Sequence, residues 1–435
     1  MLSSHTGTRA LLAVVISGAH ALPHQINATV GSGFGVNYHI SSEFSGFKHG
    51  ELELMRDAFK VMRFDMKWEY IETTCGHYNF SKFDPILEAL LAAGIRPYAI
   101  LDYANKCYSS EDKKCSTTKC VAGYQSWAAA VAKHYSALGY AGRVSFTSTN
   151  EPDNDALGDV PASVDYEMTV AASKGFVDAG FDFTGGVTEG VDTEYLKGLM
   201  GMGVLDHVTA LSTHPYTHHE PEKQLDGLRS LRILMDKNGG KHIKLLLDEW
   251  GYPFGGFPSG GVEEAAPLLP RTWLLCLAFD LNCDLGIFFD WEGTVDTNTL
   301  QPNELFRAAR TFQRHIGPAE RFDKLAQMNT PGASGLAEDV RFKHATYAAR
   351  FKTDSANGTE RRFAVWQSGD EDESNADGGF AEQGSSSVRI GTGESHFCWR
   401  VFDHLGHERR VKVCSDGNGE AVLEGVDGNP TYMTP

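Results

Sequence analysis

The sequence predicts an α/β protein, a (β/α)8 TIM barrel followed by a smaller C-terminal antiparallel β-sandwich. Three observations predict it. Eight short apolar runs alternate with eight helical stretches between about residues 33 and 315, the count that closes a parallel barrel. Two of those runs end in a glutamate flanked by polar or aromatic residues, Asn150-Glu151-Pro152 and Asp248-Glu249-Trp250-Gly251, and carboxyl ends of strands are where such barrels keep their reactive groups. Past about residue 318 helical spacing stops, and short alternating stretches punctuated by Gly, Asp and Asn take over, as in a sandwich.

The strands are expected at 33–39, 61–64, 96–101, 144–148, 183–187, 207–213, 243–248 and 285–290. Each is too short for a stable helix and bounded by polar or turn residues. The helices between them are expected at 51–59, 83–93, 123–138, 161–179, 193–202, 222–238, 263–281 and 303–315. Asp84-Pro85 opens the second and Gly94 stops it, because proline suits a first turn and glycine the left-handed position that ends a helix. Helix 263–281 contains Pro267 and Pro270, both assigned to its first turns. The sandwich strands are expected at 347–351, 362–366, 387–390, 397–402 and 410–413, with an acidic mobile loop at 370–379.

The expected organisation is a signal peptide at 1–21, a barrel at 22–318 and a β-sandwich accessory domain at 319–435. Arg9, the apolar run 10–16 and Ala19-His20-Ala21 have the order of a secretory leader and its cleavage site. Sequons stand at Asn27, Asn79 and Asn357. The chain has eight cysteines. Cys75, Cys107, Cys115 and Cys120 fall in loops and are expected to form two disulfides of open pairing, as exported proteins do. A zinc site fits them poorly, with no Cys-x-x-Cys pair or nearby histidine. Cys276 and Cys283 lie in apolar surroundings and read as plain buried thiols. Cys398 and Cys414 lie on successive strands and can bridge them. A secreted, glycosylated, disulfide-bonded protein is expected.

The net charge of −18 disfavours nucleic acid and anionic membranes as partners. It suits a neutral or cationic substrate. The two glutamates suggest the chemistry. Breaking a glycosidic bond needs a proton for the leaving oxygen and stabilisation of an oxocarbenium-like centre, and two carboxyl groups supply both. Strands four and seven face each other across a barrel mouth, so Glu151 is expected as acid/base, its pKa raised by burial and by the second carboxylate, and Glu249 as nucleophile. Asn150 offers an amide to a sugar hydroxyl, Arg63 an ion pair to Glu249, and His214 and Tyr216 either orientation of the nucleophile or sugar contacts. Trp291 offers a flat apolar face for a pyranose ring. No cofactor and no metal are expected. His214, His218 and His219 resemble a metal cluster, but nothing sets them on one face. The alternatives are a non-catalytic glycan-binding protein on a degenerate barrel, or a metal-dependent barrel hydrolase.

These motifs resemble those of the clan A glycoside hydrolases, with family 39 and its neighbours nearest and family 5 next. Asn150-Glu151-Pro152 resembles the acid/base motif of strand four, and Asp248-Glu249-Trp250-Gly251 the nucleophile motif of strand seven. The segments 63–68, 76–84 and 94–103, with His214-Pro215-Tyr216 and Phe289-Asp290-Trp291, are similar to parts of the same barrels, and the closing Gly428-Asn429-Pro430-Thr431-Tyr432 to their sandwich. The resemblance implies a retaining β-glycosidase acting on a β-linked oligosaccharide or polysaccharide. The cysteine-rich loop after strand three departs from the pattern.

Overall fold

The structure is a computed structural model and describes residues 29–435 apart from 111–114, 116, 155–159, 218–219, 253–260, 329–345, 356–357, 369–385 and 393. The leader, His218, His219, the sequons at Asn27 and Asn357 and the acidic loop all lie outside the described residues.

Eight parallel strands close a barrel in chain order: β1 (Phe34–Asn37), β2 (Val61–Lys67), β3 (Arg96–Asp102), β4 (Ser145–Thr147), β5 (Asp182–Glu189), β6 (Ala210–His214), β7 (Lys244–Gly251) and β8 (Gly286–Phe289). Around them run α1 (Glu51–Ala58), the single turn α2 (Trp68–Ile71), α3 (Asp84–Ala93), α4 (Thr118–Ala137), α5 (Ala162–Asp178), α6 (Thr193–Gly201), α7 (Leu225–Lys237), α8 (Gly261–Ala265), α9 (Leu268–Ala278) and α10 (Glu304–His315). The helix ends follow local chemistry. Thr117, Asp192 and Asn303 each turn a side-chain oxygen to the first free amides of their helices, which satisfies otherwise orphaned donors. Gly94 closes α3 at φ 74°, a conformation that other residues adopt only at a cost. The single helix expected at 263–281 is two. Pro267 has no N–H to continue α8, so the chain breaks there and restarts as α9.

The barrel interior is built in layers. Val61, Tyr98, Ala210, Leu246, Leu285 and Ile287 form an apolar floor. Strand side chains alternate between faces, so two residues further along each strand the interior face carries Arg63, Ile100, Ser212 and Asp248, and beyond them Asp65, Asp102 and His214. A polar mouth therefore sits directly on an apolar base.

A short hairpin, β9 (Val295–Asp296) and β10 (Gln301–Pro302), precedes α10. The C-terminal strands are β11 (Arg321–Met328), β12 (Thr346–Ser355), β13 (Gly358–Gln367), β14 (Ser386–Gly391), β15 (Cys398–Phe402), β16 (Val413–Cys414), β17 (Glu420–Val426) and β18 (Thr431–Thr434). They form an antiparallel six-stranded sheet, ordered β11-β12-β13-β18-β15-β16, and a two-stranded sheet of β14 and β17. Alternation divides their residues. Ala348, Phe363, Val365, Trp399, Val401 and Met433 pack against Val388, Ile390, Leu423 and Val426 of the small sheet. Tyr347, Ala349, Phe351, Trp366 and Tyr432 belong instead to the core that surrounds the barrel.

Cys75 pairs with Cys107, Cys115 with Cys120, and Cys398 with Cys414. Cys276 and Cys283 are also bonded, which corrects their reading as thiols. After α9 the chain turns through left-handed Asp280 and Asn282, and this fold-back returns the second cysteine to the first. Apolar surroundings alone do not separate a buried thiol from a buried bridge.

Between barrel and sheet, the fully buried Arg271 of α9 binds Glu222 through Nε at 3.0 Å, Glu220 at 3.2 Å and the Gly428 carbonyl at 3.2 Å. Trp366 of β13 donates to Glu222 at 2.8 Å. Arg271→Ala would remove this cation from two buried carboxylates. It is expected to lower the unfolding free energy by about 3–5 kcal/mol, measured by urea denaturation, and a loss below ~1 kcal/mol would show that the cluster is not holding the two parts together.

Candidate active site

Strands β2, β4, β6 and β7 deliver the candidate groups to one place. Glu151 and Glu249 are each 8% exposed. A carboxyl oxygen of each, with Nδ1 or Nε2 of His214, forms a trio whose ligating atoms all lie within 4.8 Å of one another. Residues far apart along the chain thus meet because each ends a barrel strand on the same rim.

Arg63 joins the parts. Its guanidinium is 1% exposed and donates to Glu249 through Nη1. Nη1 also reaches Asn37 Oδ1 at 3.2 Å, and Nη2 reaches Asn150 Oδ1 at 2.6 Å. Its Nε faces Asp248 Oδ2 at 3.7 Å. Burial works against this cation, but Glu249 and Asp248 more than offset it and hold its pKa above the usual arginine value. The Asn150 oxygen accepts from Arg63, and its amide nitrogen can act only as a donor.

Glu249 receives a second donor. The Tyr216 hydroxyl lies 2.6 Å from its other oxygen. Burial first, then the charge and hydrogen bond of Glu249, raise the Tyr216 pKa well beyond the usual phenol range, so the phenol keeps its proton.

Glu151 has different neighbours. His214 Nδ1 stands 2.6 Å from its Oε1, and Asn154 donates to Oε2 at 3.0 Å. His214 Nε2 reaches Asp248 at 3.1 Å. Asp248 is itself fixed by the Tyr98 hydroxyl at 3.0 Å and by Ser212. Burial lowers the His214 pKa, but Glu249, Asp248 and Glu151 outweigh it and raise the pKa to about 10. Burial raises the Glu151 carboxyl, but the hydrogen bond and charge of His214 outweigh that, and its pKa falls below the ordinary value. This reverses the sequence expectation of a raised pKa. The reason is that the cationic partner is a histidine whose position could not be read from the chain.

Trp291 also departs from expectation. It is fully buried, with its indole N–H 3.0 Å from Glu51 and its ring against Phe59 and Phe306. The chain has left β8 at this point and its amide bonds to the Asn37 carbonyl, so the ring turns into the core. Phe289, two residues beyond Ile287 on the same face, is only partly buried and meets the His39 ring at 5.2 Å. His39 Nε2 lies 3.4 Å from Asp290. Sequence reading also missed Asn37, Asp102 and Asn154 and gave Asp248 no role of its own. Counting by twos along each strand from its apolar residues would have placed Asp102 and Asp248 on the interior face.

The distances of Glu151, His214 and Glu249 would admit a divalent ion. However, both ring nitrogens of His214 already meet carboxylates, Nδ1 that of Glu151 and Nε2 that of Asp248.

These pairs set the sign of the pH dependence. The folded His214 pKa, about 10, exceeds its ordinary 6.5. The folded state therefore binds the proton more tightly, and this stabilisation is complete below about pH 6.5 and lost as pH rises through about 10. The unfolding free-energy difference between wild type and His214→Gln is expected to shrink steadily from pH 6.5 to 10, measured by urea denaturation. A flat difference would mean that the ring is neutral in the fold.

No family model and no curated protein matches the chain. Solved structures do. A family 39 glycoside hydrolase from Bacteroides cellulosilyticus WH2 superposes with TM-score 0.66 at 17% identity, covering 94% of this chain and 81% of the other. A glycoside hydrolase family 30 subfamily 8 xylanase from Clostridium acetobutylicum gives 0.62 at 11% identity, covering 92% and 95%. A family 39 β-xylosidase from Caulobacter crescentus gives 0.61 at 12% identity, covering 93% and 96%. At these identities the likeness is one of fold, and in its fold the chain resembles the barrel-and-sheet glycoside hydrolases, family 39 among them.

Proposed function

We propose that the protein is a secreted retaining β-glycosidase, with Glu151 as acid/base, Glu249 as nucleophile and a β-linked glycan or oligosaccharide as substrate. The observation that carries this reading is the approach of one oxygen of each carboxyl group to within 4.8 Å of the other. Retaining enzymes hold theirs at about 5–5.5 Å, and inverting enzymes at about 6.5–9.5 Å to admit a water. The barrel at 22–318 is proposed as the catalytic part and 319–435 as its accessory domain. The four disulfides accord with passage through an oxidising compartment.

In the first step a Glu249 oxygen attacks the anomeric carbon. The bond from that carbon to the leaving oxygen breaks, and that oxygen takes the proton from Glu151. Arg63 and Tyr216 aim the attacking carboxylate and share its charge. In the second step Glu151, now a carboxylate, removes a proton from water. The water oxygen bonds to the anomeric carbon and releases Glu249. His214 sits against Glu151 Oε1; its ring holds the pair's proton in the free enzyme, passes it to Glu151 for the first step and takes it back in the second. The Asn150 amide donates to the hydroxyl beside the reacting carbon.

Glu249→Ala should abolish turnover of β-glycosides. Glu151→Ala should slow substrates with poor leaving groups by about 10²–10⁴-fold, far more than those with activated ones, and azide should restore some rate as a β-glycosyl azide. NMR of the first product should show the retained anomer. Wild-type rates in both variants would end the assignment. Activity should also survive exhaustive chelation, and loss of turnover on chelation would favour the metal-dependent alternative. Tight glycan binding without any released product would favour the non-catalytic one.

A further inference from the structure

We propose that Asp102 is a positioning residue for Glu151, acting through the Thr149–Asn150 backbone; the proposal rests on the glycosidase reading above. β3 and β4 pair through Tyr98 with Ser145, Ala99 with Phe146 and Ile100 with Thr147. There the backbone ladder stops. Two residues further on, the Asp102 side chain takes its place, with Oδ1 accepting the Asn150 amide at 3.0 Å and the Thr149 hydroxyl at 3.3 Å. A carboxyl group thus continues the sheet by one rung, up to the residue that precedes Glu151.

Just past that rung, Glu151 has a left-handed backbone, φ 41°, which a residue with a side chain holds only when its surroundings impose it. Its downstream side is tied by Asn154, whose amide reaches the Glu151 carbonyl at 3.1 Å. Its upstream side is tied by Asp102. The Asn150 side chain is held in turn by Arg63, so the approach to Glu151 is fixed through both backbone and side chain.

Asp102 is fully buried, and its Oδ2 has no hydrogen-bond partner among the described residues. A buried polar atom without a partner works against stability, which offsets part of what the two Oδ1 hydrogen bonds contribute. Burial first, then the neighbouring Asp65, push its pKa well above the ordinary value. Asparagine therefore matches the buried group in shape, in charge and in its accepting oxygen.

The test compares Asp102→Leu, which keeps the branched skeleton, is bulkier and cannot accept, with Asp102→Asn. Deuterium exchange of the full-length protein should be faster over 148–154 in the leucine variant and unchanged in the asparagine variant. The leucine variant should lose about 10–100-fold in kcat/KM on substrates with poor leaving groups and less than about threefold on dinitrophenyl glycosides, with azide rescue. Its urea midpoint should fall, because the Asn150 amide and the Thr149 hydroxyl lose their acceptor, but a merely structural role predicts equal losses on both substrate classes. Unchanged exchange in the leucine variant, equal losses on both substrate classes, or an asparagine variant as impaired as the leucine one would overturn the proposal. A wild type inactive on every β-glycoside would sink the functional reading, and the exchange data would still judge the Asp102 contact.

Discussion

The interaction on which the site depends is the burial of Arg63 between Glu249 and Asp248. A guanidinium taken out of water is tolerable only where anions and acceptors surround it. Here the acceptors come from three strands or their ends: Asn37 from β1, Asn150 after β4, and Asp248 and Glu249 from β7. Because the fork of donors is planar and rigid, each partner has one place to be. The geometry of the mouth is in this sense a consequence of where one cation must rest, and of the polar layer that sits above the apolar floor.

The same arrangement gives the two glutamates different characters. Glu249 faces an arginine and a phenol, neither of which gives up its proton. Glu151 faces a histidine and an amide, and a histidine can exchange a proton with its neighbour. Asp248, beneath them, binds the far nitrogen of that histidine and also faces the arginine, so the environments of both carboxyl groups are coupled through one buried aspartate.

Much of this was legible in the sequence. The eight strands were, because buried parallel strands are short apolar runs separated by helices with recognisable stops. Glu151, Glu249, Arg63, Asn150, His214 and Tyr216 lie on strands or just past their ends, and all six meet within one network of contacts. Trp291 was not legible, because alternation ceases once the chain leaves β8 and an aromatic ring can then turn either way. The lowered pKa of Glu151 was not legible either, since it depends on a contact across two strands rather than on anything local. The Cys276–Cys283 bridge was hidden by the left-handed turn at Asp280 and Asn282, residues that also suit ordinary loops.

The six-stranded sheet presents one face to the helices of the barrel. Tyr347 meets Phe279 and Tyr432 meets Phe312 ring to ring, while Phe402 stacks on His315. Cutting the chain after α10 would strip those rings of their cover and leave a greasy flank on the cylinder. A shortened version made for convenience would therefore be prone to clump, and the tail cannot be traded for another module as a bead on a string could be.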